Sequence, residues 1–207
     1  MVTMVIGGAR SGKSAFGEQL AGEWQQATAY LATAVPFDEE MEKRIERHRT
    51  QRPACWTTVE WQNGFFFWKE RPGLQEQLNG FSCLFLDSLG MLINNWIFET
   101  QAETISSLNT DKSIFQSAFA GQNEQEQEKR ILSDLEAFID WCRNNEKNLI
   151  MVTEEVGMGL VPETPVTRRY RDVLGAVNRK AAALSDRVYL VVAGLCVPLK
   201  QEKGQTL

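Results

Sequence analysis

Cysteine and histidine are scarce in this sequence. Among its 207 residues there are 4 cysteines and 1 histidine. The cysteines lie far apart and form no C-x-x-C pair, so neither a metal knuckle nor a short disulfide framework is indicated. We expect all of them to be small core residues in a reducing compartment. They are Cys55, Cys83, Cys142 and Cys196.

An excess of positive charge is also missing. The chain carries 22 Lys and Arg against 27 Asp and Glu, a formal net charge of -5. This balance gives no general electrostatic reason to expect a nucleic-acid partner, and it argues against a helicase-like role. The first predicted strand starts at Thr3, which leaves no room for a charged leader with an apolar segment. We therefore expect a cytoplasmic protein.

No long apolar run is free of polar residues. The most apolar stretch, Phe81 to Phe98, contains Asp87, Ser88 and two asparagines and falls short of a membrane span. We interpret it as a buried strand that runs into a helix. At 207 residues the chain is expected to form a single α/β domain with a full core.

What the sequence does contain is a phosphate-binding motif, G-x-x-x-x-G-K-[ST], directly after an apolar run. Its backbone amides and the start of the next helix would face nucleotide phosphates. Lys13 is expected to reach the outer phosphates and Ser14 to hold Mg²⁺. A chance glycine-rich turn is disfavoured by the strand before and the amphipathic helix after. The predicted cradle comprises Gly7, Gly8, Ala9, Arg10, Ser11, Gly12, Lys13 and Ser14.

The segments around this motif predict a parallel sheet. A strand over Thr3 to Ile6, a helix over about Lys13 to Gln25 and a strand over Thr28 to Thr33 make a right-handed βαβ unit. Ligands of such sheets bind beyond the carboxyl ends of the strands. Candidate nucleotide contacts at the end of the second strand are therefore Ala32, Thr33 and Ala34.

The single histidine, His48, lies on a predicted helix over about Glu39 to Gln51 that Asp38 would cap. His48 shares one face with Met41 and Ile45. A neutral imidazole is a competent nucleophile toward phosphorus, and nearby arginines would favour that form and bind phosphates. A histidine packed beside its apolar neighbours is the alternative. The arginines are Arg44, Arg47, Arg49 and Arg52.

A second carboxylate is expected near the phosphate loop. After a strand over Trp56 to Glu60 and a turn at Arg71-Pro72-Gly73, Phe81 to Leu86 is typical of a buried strand. It ends in Asp87, the position of the Mg²⁺-side carboxylate in phosphate-loop enzymes. A simple cap is the alternative role for Asp87.

The second half continues the α/β pattern. A flexible polar insertion is predicted at about 101–128, and the loop from Glu154 to Glu163 is a candidate substrate lid. Four arginines, at 168, 169, 171 and 179, are expected on the exposed sides of a late helix, where they form either a solvated face or an anion-binding or subunit-contact surface. The predicted elements are a helical stripe from Ile131 to Cys142, a strand over Asn148 to Thr153, a helix over about Val166 to Ser185, strands over Arg187 to Val192 and Leu195 to Leu199, and a frayed tail from Gln201 to Leu207.

Four segments together resemble one enzyme family. They are the phosphate loop at 7–14, Arg-Ile-Glu-Arg-His-Arg-Thr-Gln-Arg-Pro at 44–53, Trp-Thr-Thr-Val-Glu at 56–60 and Glu-Val-Gly-Met-Gly-Leu-Val-Pro-Glu at 155–163. On these segments, and on residues 169–178 and 191–194, the chain is similar to the bifunctional adenosylcobinamide kinase and adenosylcobinamide-phosphate guanylyltransferase family of adenosylcobalamin biosynthesis. The resemblance runs nearly from end to end.

The resemblance implies two reactions. ATP or GTP phosphorylates the aminopropanol hydroxyl of adenosylcobinamide; GTP then donates GMP to that phosphate, which releases pyrophosphate and gives adenosylcobinamide-GDP. The family's guanylylated histidine corresponds to His48. A RecA-like P-loop NTPase fold and a homo-oligomer, often a trimer, are also implied. Implied nucleotide contacts are residues 7–14, Ala32, Thr33, Ala34, Arg49, Thr50, Gln51, Arg52, Glu60 and Asp87.

Three features depart from the family pattern. The family's strand-end acid is followed by a Cys-Leu-Thr type run, where this chain continues with Ser88-Leu-Gly-Met. Family members commonly carry Asn before the Glu of E-V-G-M-G, where this chain has Glu154. The polar insertion is longer than usual. The first two departures bear on cobinamide affinity and on the kinase rate.

The sequence leaves other functions open. They are a guanylyltransferase without kinase activity, a RecA-like ATPase that acts on a partner, and a kinase of an unrelated small molecule for which His48 is dispensable. The general base of the kinase step is also open, with Glu155 and Glu163 as candidates by location.

Overall fold

The computed structural model describes residues 1–36, 39–61, 68, 72–102 and 123–201. Strands and helices alternate through most of these ranges. In chain order the elements are β1 (Val2–Gly7), α1 (Lys13–Glu23), β2 (Thr28–Ala32), α2 (Glu39–Gln51), β3 (Thr57–Glu60), α3 (Pro72–Leu78), β4 (Cys83–Asp87), α4 (Leu89–Ala102), α5 (Glu124–Asn144), β5 (Asn148–Glu154), α6 (Pro165–Leu184), β6 (Arg187–Val192) and β7 (Leu195–Lys200).

The strands form one sheet in the order β3-β2-β4-β5-β1-β6-β7. Every pairing is parallel except that of β6 with β7, which is antiparallel. A tight turn at Ala193 and Gly194, both with positive φ, reverses the chain between these two strands. The mostly parallel α/β sheet predicted from the sequence is confirmed.

The register brings the carboxyl ends of the parallel strands to one edge. Gly7 of β1 pairs with Glu154 of β5, and Ala32 of β2 pairs with both Glu60 of β3 and Asp87 of β4. Ligands of parallel sheets bind beyond this edge. The sheet therefore assembles residues that are distant in sequence at one place.

Side chains alternate between the two faces of the sheet, and helices cover both. Leu84 and Leu86 of β4 belong to the larger apolar cluster, with Phe138 of α5 and Leu174 of α6. Phe85, between them in sequence, belongs to the smaller cluster under α1. The sheet is thus buried on both sides, as a parallel sheet requires.

Helix α1 approaches the sheet closely at Gly17. A Cβ atom at this position would lie 2.9 Å from a ring carbon of Phe85, closer than side chains tolerate. Phe16, Leu20 and Trp24 of the same region pack against the smaller cluster, which confirms the apolar stripe predicted for this helix. Glycine at position 17 therefore lets the helix lie against the aromatic ring.

The boundaries of the predicted insertion are wrong at both ends. Residues 101 and 102 belong to α4, and Glu124 starts α5. Asn123 caps α5: its side chain accepts from the Glu126 N–H, and the Glu126 carboxylate accepts from the Asn123 N–H. This capping box starts the helix inside a polar stretch whose composition indicated a loop. Residues 103–122, the centre of the predicted insertion, lie outside the described residues.

The expectation of core cysteines holds for two of the four. Cys83 and Cys142 are buried, whereas Cys55 is exposed and Cys196 is half-buried. Cys55 lies in the turn before β3 and Cys196 on the edge strand β7, and both places leave side chains open to solvent. The expected N-cap Asp38 and residues 202–207 of the tail lie outside the described residues. None of the helices in the described ranges has the length and apolar character that a membrane span requires.

Candidate active site

The phosphate loop joins β1 to α1. Gly12, the residue before the helix, has φ 94° and ψ 7°, a left-handed conformation that suits glycine. Gly7 is closely packed, since a Cβ atom there would lie 2.5 Å from the Val191 carbonyl oxygen. The cap residue has no side chain to bind the first N–H groups of α1. These donors are available to an anion, as expected for a phosphate cradle.

Lys13 lies at the start of α1 and is buried, with a relative exposure of 7%. Its Nζ atom donates to the Gly8 carbonyl oxygen at 3.4 Å and lies 3.7 Å from a carboxylate oxygen of Glu154. The Ser88 hydroxyl contacts both carboxylate oxygens of Glu154, at 3.0 and 3.1 Å. A lysine and a carboxylate therefore face each other beside the loop.

The environment of Glu154 raises the pKa of its carboxyl group. Burial is the main cause, Lys13 opposes it, and the nearby charge of Asp87 adds to it. The protonated form of this glutamate is thus favoured more than in water.

Asp87 ends β4 and has two separate contacts. Its Oδ1 atom accepts from the Ser14 hydroxyl at 3.5 Å, and its Oδ2 atom accepts from the Tyr30 hydroxyl at 2.7 Å. The guanidinium carbon of Arg52 lies 3.5 Å from the centroid of the Tyr30 ring. Serine and carboxylate oxygens are ligands that Mg²⁺ prefers, and Mg²⁺ sites in nucleotide enzymes use one or two carboxylates together with phosphates. The Ser14 and Asp87 pair fits that description.

A single cavity connects this edge of the sheet with α2. His48 lies on its wall together with Met41 and Ile45, so the apolar face of α2 turns toward the cavity. His48 thus lies both at the cavity and beside these two apolar neighbours. The lining residues are Lys13, Ser14, Tyr30, Ala32, Thr33, Ala34, Met41, Ile45, His48, Arg49, Arg52, Glu60, Asp87, Ser88, Met91 and Glu154.

Most of the sequence-predicted site residues thus lie around one cavity, but some do not. The backbone of the loop residues 7–12 forms the cradle beside it, without lining it. Thr50 instead donates its hydroxyl to the Arg47 carbonyl oxygen at 2.9 Å, on the exposed side of α2. Gln51 is the last residue of α2.

Of the predicted lid, Glu154 to Glu163, only Glu154 is among the residues that line this cavity. Glu154 is not a loop residue, because it completes β5. Glu155 accepts from the Gly157 N–H at 2.5 Å, and neither Glu155 nor Glu163 lines the cavity. Met158 and Leu160 are 84% and 95% exposed. The role of Glu155 and Glu163 as candidate bases stays a prediction, and the acids that line the cavity are Glu60, Asp87 and Glu154.

Two arginines of α6 do not form the solvated face that was one of the two roles expected for them. Arg168 donates to the carbonyl oxygens of Pro162 and Glu163, at 3.0 and 2.6 Å. The Arg169 guanidinium lies 5.1 Å from the Trp96 ring centroid. Both side chains contribute to packing around the start of α6.

The family model described as cobinamide kinase / cobinamide phosphate guanyltransferase matches residues 3–199. The chain belongs to this family. It is 34% identical over 201 residues to the bifunctional adenosylcobalamin biosynthesis protein CobU of Escherichia coli K12, covering 97% of this chain and 100% of that protein. To the bifunctional adenosylcobalamin biosynthesis protein CobP of Pseudomonas aeruginosa it is 31% identical, covering 98% of this chain and 99% of that protein.

Among solved structures, the chain is similar to the RadB recombinase at 14% identity and a TM-score of 0.42, over 91% of this chain and 73% of that chain. Membership of the cobinamide kinase / guanyltransferase family confirms the resemblance read from the sequence. The mostly parallel sheet, with the phosphate loop between β1 and α1, confirms the P-loop NTPase fold class predicted from the sequence.

In this family member, six residues that line the cavity were not predicted as site residues from the sequence, namely Tyr30, Met41, Ile45, Ser88, Met91 and Glu154. Tyr30 shares a sheet face with Ala32, two residues on, so strand periodicity could have found it. Glu154 required only an extension of β5 by one residue beyond its predicted end.

Proposed function

We propose that the chain phosphorylates adenosylcobinamide with ATP or GTP and then transfers GMP from GTP to adenosylcobinamide phosphate. Family membership supports both activities. The observation that carries the proposal is that His48, Lys13 and Asp87 line one cavity. A phosphate-binding lysine, a metal-side carboxylate and a nucleophile are thus available to the same nucleotide.

The GMP transfer proceeds in two displacements through His48. An imidazole nitrogen attacks the α-phosphorus of GTP, an N–P bond forms, and the bond from the α-phosphorus to the bridging oxygen breaks as pyrophosphate leaves. A phosphate oxygen of adenosylcobinamide phosphate then attacks the same phosphorus, and the N–P bond breaks. The product is adenosylcobinamide-GDP, and His48 is regenerated.

The remaining site residues bind and orient the nucleotide. Lys13 and the amides of residues 7–14 hold the outer phosphates, while Arg49 and Arg52 supply positive charge beside His48. The ends of the strands contribute further nucleotide contacts, from Ala32, Thr33, Ala34 and Glu60. By the family resemblance, the residues after His48 that contact the nucleotide include Thr50 and Gln51. Mg²⁺ held by Ser14 and Asp87 would neutralise charge on the phosphates.

The same proposal covers the domain organisation, the cellular location and the oligomeric state of the enzyme. A single domain carries both reactions, with a polar insertion between α4 and α5, and the protein acts in the cytoplasm as a homo-oligomer, a trimer by the family resemblance. The edge strand β7 supports self-association, since Leu195, Val197 and Leu199 are 71%, 48% and 60% exposed.

The proposal is tested by incubating the protein with Mg²⁺ and α-labelled GTP. We expect acid-labile label on His48, release of pyrophosphate, and transfer of the label to adenosylcobinamide phosphate. His48→Asn should abolish the label while GTP binding, measured by calorimetry, stays within about twofold because the phosphate contacts remain. Transfer of GMP by His48→Asn would contradict the covalent mechanism.

A separate assay with adenosylcobinamide and γ-labelled ATP or GTP measures the kinase step. Label on cobinamide is the expected result. Its absence, with guanylyl transfer intact, would leave a guanylyltransferase alone; nucleotide hydrolysis without either transfer would favour a RecA-like ATPase.

A further inference from the structure

Tyr30 contacts two groups that the proposed reactions use, through different parts of its side chain. Its hydroxyl donates to Asp87 Oδ2 at 2.7 Å. Its ring lies against Arg52, whose guanidinium carbon is 3.5 Å from the ring centroid. No step of the proposed function assigns a role to this tyrosine.

Tyr30 is held firmly in its place. It is 2% exposed, and its ring stacks on Phe85 with 5.3 Å between centroids and lies 6.4 Å from Trp56. Phe85 and Trp56 are themselves in ring contact at 5.6 Å. Burial and the charge of Asp87 raise the pKa of the Tyr30 hydroxyl, so it remains a donor. The hydroxyl is therefore a fixed point for the carboxylate.

Because of this hydrogen bond, the two carboxylate oxygens of Asp87 have different partners. Oδ2 is taken by Tyr30, whereas Oδ1 faces the Ser14 hydroxyl at 3.5 Å. A carboxylate rotates easily when neither oxygen is held. The tyrosine thus fixes the orientation in which Oδ1 would be available to Mg²⁺.

The ring contact reaches the helix that carries the nucleophile. Arg52 directly follows α2, and His48 lies about one helical turn before it. The Arg52 guanidinium also donates to the Thr58 hydroxyl at 3.1 Å, so the arginine joins the end of α2 to β2 and β3. A cation over an aromatic face is a favourable contact when it is partly withdrawn from water.

We propose that Tyr30 is a positioning residue that couples the metal-side carboxylate Asp87 to the His48 helix through Arg52. The hydroxyl orients the Asp87 carboxylate, and the ring holds Arg52 and with it the end of α2. One side chain thereby holds the metal-side and nucleophile-side groups in a common arrangement. This inference rests on the proposed function and specifies how its two halves are held together.

The first test separates the hydroxyl from the ring with Tyr30→Phe. The affinity for the α,β-methylene analogue of GTP is measured by calorimetry with and without Mg²⁺. In the unaltered chain we expect Mg²⁺ to strengthen binding. In Tyr30→Phe, the factor by which Mg²⁺ strengthens binding should be about tenfold smaller, which is the scale of a hydrogen bond to a charged group. Binding without Mg²⁺ should stay unchanged. The matched control is Tyr189→Phe, since Tyr189 packs against Phe16 outside the cavity.

The second test asks what the aromatic ring of Tyr30 contributes, by comparing a variant that keeps the ring with one that removes it. Formation of guanylyl-His48 by Tyr30→Phe should recover at saturating Mg²⁺, because the ring still holds Arg52. Tyr30→Leu should not recover, although it binds the analogue, because the end of α2 is released. Thermal unfolding of both variants reports on folding.

Each part of the proposal can be overturned by a different result. Equal Mg²⁺ responses in Tyr30→Phe and the unaltered chain would overturn the role of the hydroxyl, and equal recovery of both variants would overturn the role of the ring. If the unaltered chain itself shows no Mg²⁺ response, the metal site of the proposed function is wrong, and the role of Tyr30 is overturned with it.

Discussion

The Nζ atom of Lys13 lies 3.7 Å from Glu154 Oε1, and Glu154 pairs in register with Gly7 at the start of the phosphate loop. The loop lysine therefore faces a carboxylate at the place where it would meet phosphates.

Replacement of Glu154 by glutamine should strengthen nucleotide binding. The change removes a negative charge beside Lys13 while it keeps the shape of the side chain. We expect the affinity for GTP to rise at least about fivefold, because a unit charge about 4 Å away costs about 1 kcal/mol even in bulk water and more in a buried site. Calorimetry measures this, with Glu155→Gln as the control because Glu155 does not line the cavity. Unchanged or weaker binding would argue against an unfavourable effect of the carboxylate.

The same variant should alter the pH dependence of stability. Burial raises the pKa of Glu154 above its ordinary value of 4.5, so the folded chain binds this proton more tightly than the unfolded chain does. The contribution of Glu154 to the free energy of unfolding is therefore greatest at low pH and falls as pH rises through the raised pKa. Glu154→Gln lacks this decrease. Urea unfolding of both chains at several pH values should show the variant gaining relative stability toward neutral pH; a relative loss would contradict the shift.

The buried side chain of Asn178 should stabilise the fold through its hydrogen bonds. This buried side chain accepts from the Thr153 hydroxyl at 2.7 Å and donates to the Glu154 carbonyl oxygen at 2.9 Å. Asn178→Ala leaves both partners without these bonds, at an expected cost of about 1–3 kcal/mol in the free energy of unfolding. Asn145→Ala is the control, since Asn145 is exposed, and it should cost about 0.5 kcal/mol or less. Similar losses in both variants would refute the special role of the buried amide.

Charges on the edge strand should prevent self-association. Val197→Lys combined with Leu199→Lys replaces two exposed apolar side chains of β7, so the fold should tolerate the change. We expect light scattering after size-exclusion chromatography to show monomers in place of the proposed homo-oligomer. Met158→Lys alters a still more exposed apolar residue outside β7 and should leave the oligomer intact. An oligomer that survives the double change would assign the interface elsewhere.

The sequence was most informative where a signal is local. The phosphate loop is a contiguous motif, and the bounds predicted for α2 agree with those observed, Glu39–Gln51, because the acidic first turn and Pro53 mark its ends. Asp87 was found because it directly follows an apolar strand. Each of these signals depends on neighbours in sequence.

The rest of the site depends on tertiary pairing. Tyr30 meets Asp87 only because β2 lies beside β4, and Glu154 meets Lys13 only because β5 lies beside β1. Neither pairing can be read from a single segment. The exposure expected for Arg169 failed for a related reason, since Trp96 of another helix lies under it.

The close approach of α1 to the sheet gives position 17 a restricted choice of residues. Gly17 lies outside the cavity, yet a methyl group there would press on the Phe85 ring, which stacks on Tyr30. In a library of random variants, position 17 would therefore behave as an active-site position, although it carries no functional group. Mutational tolerance in this protein follows the contacts behind the catalytic residues as well as the residues themselves.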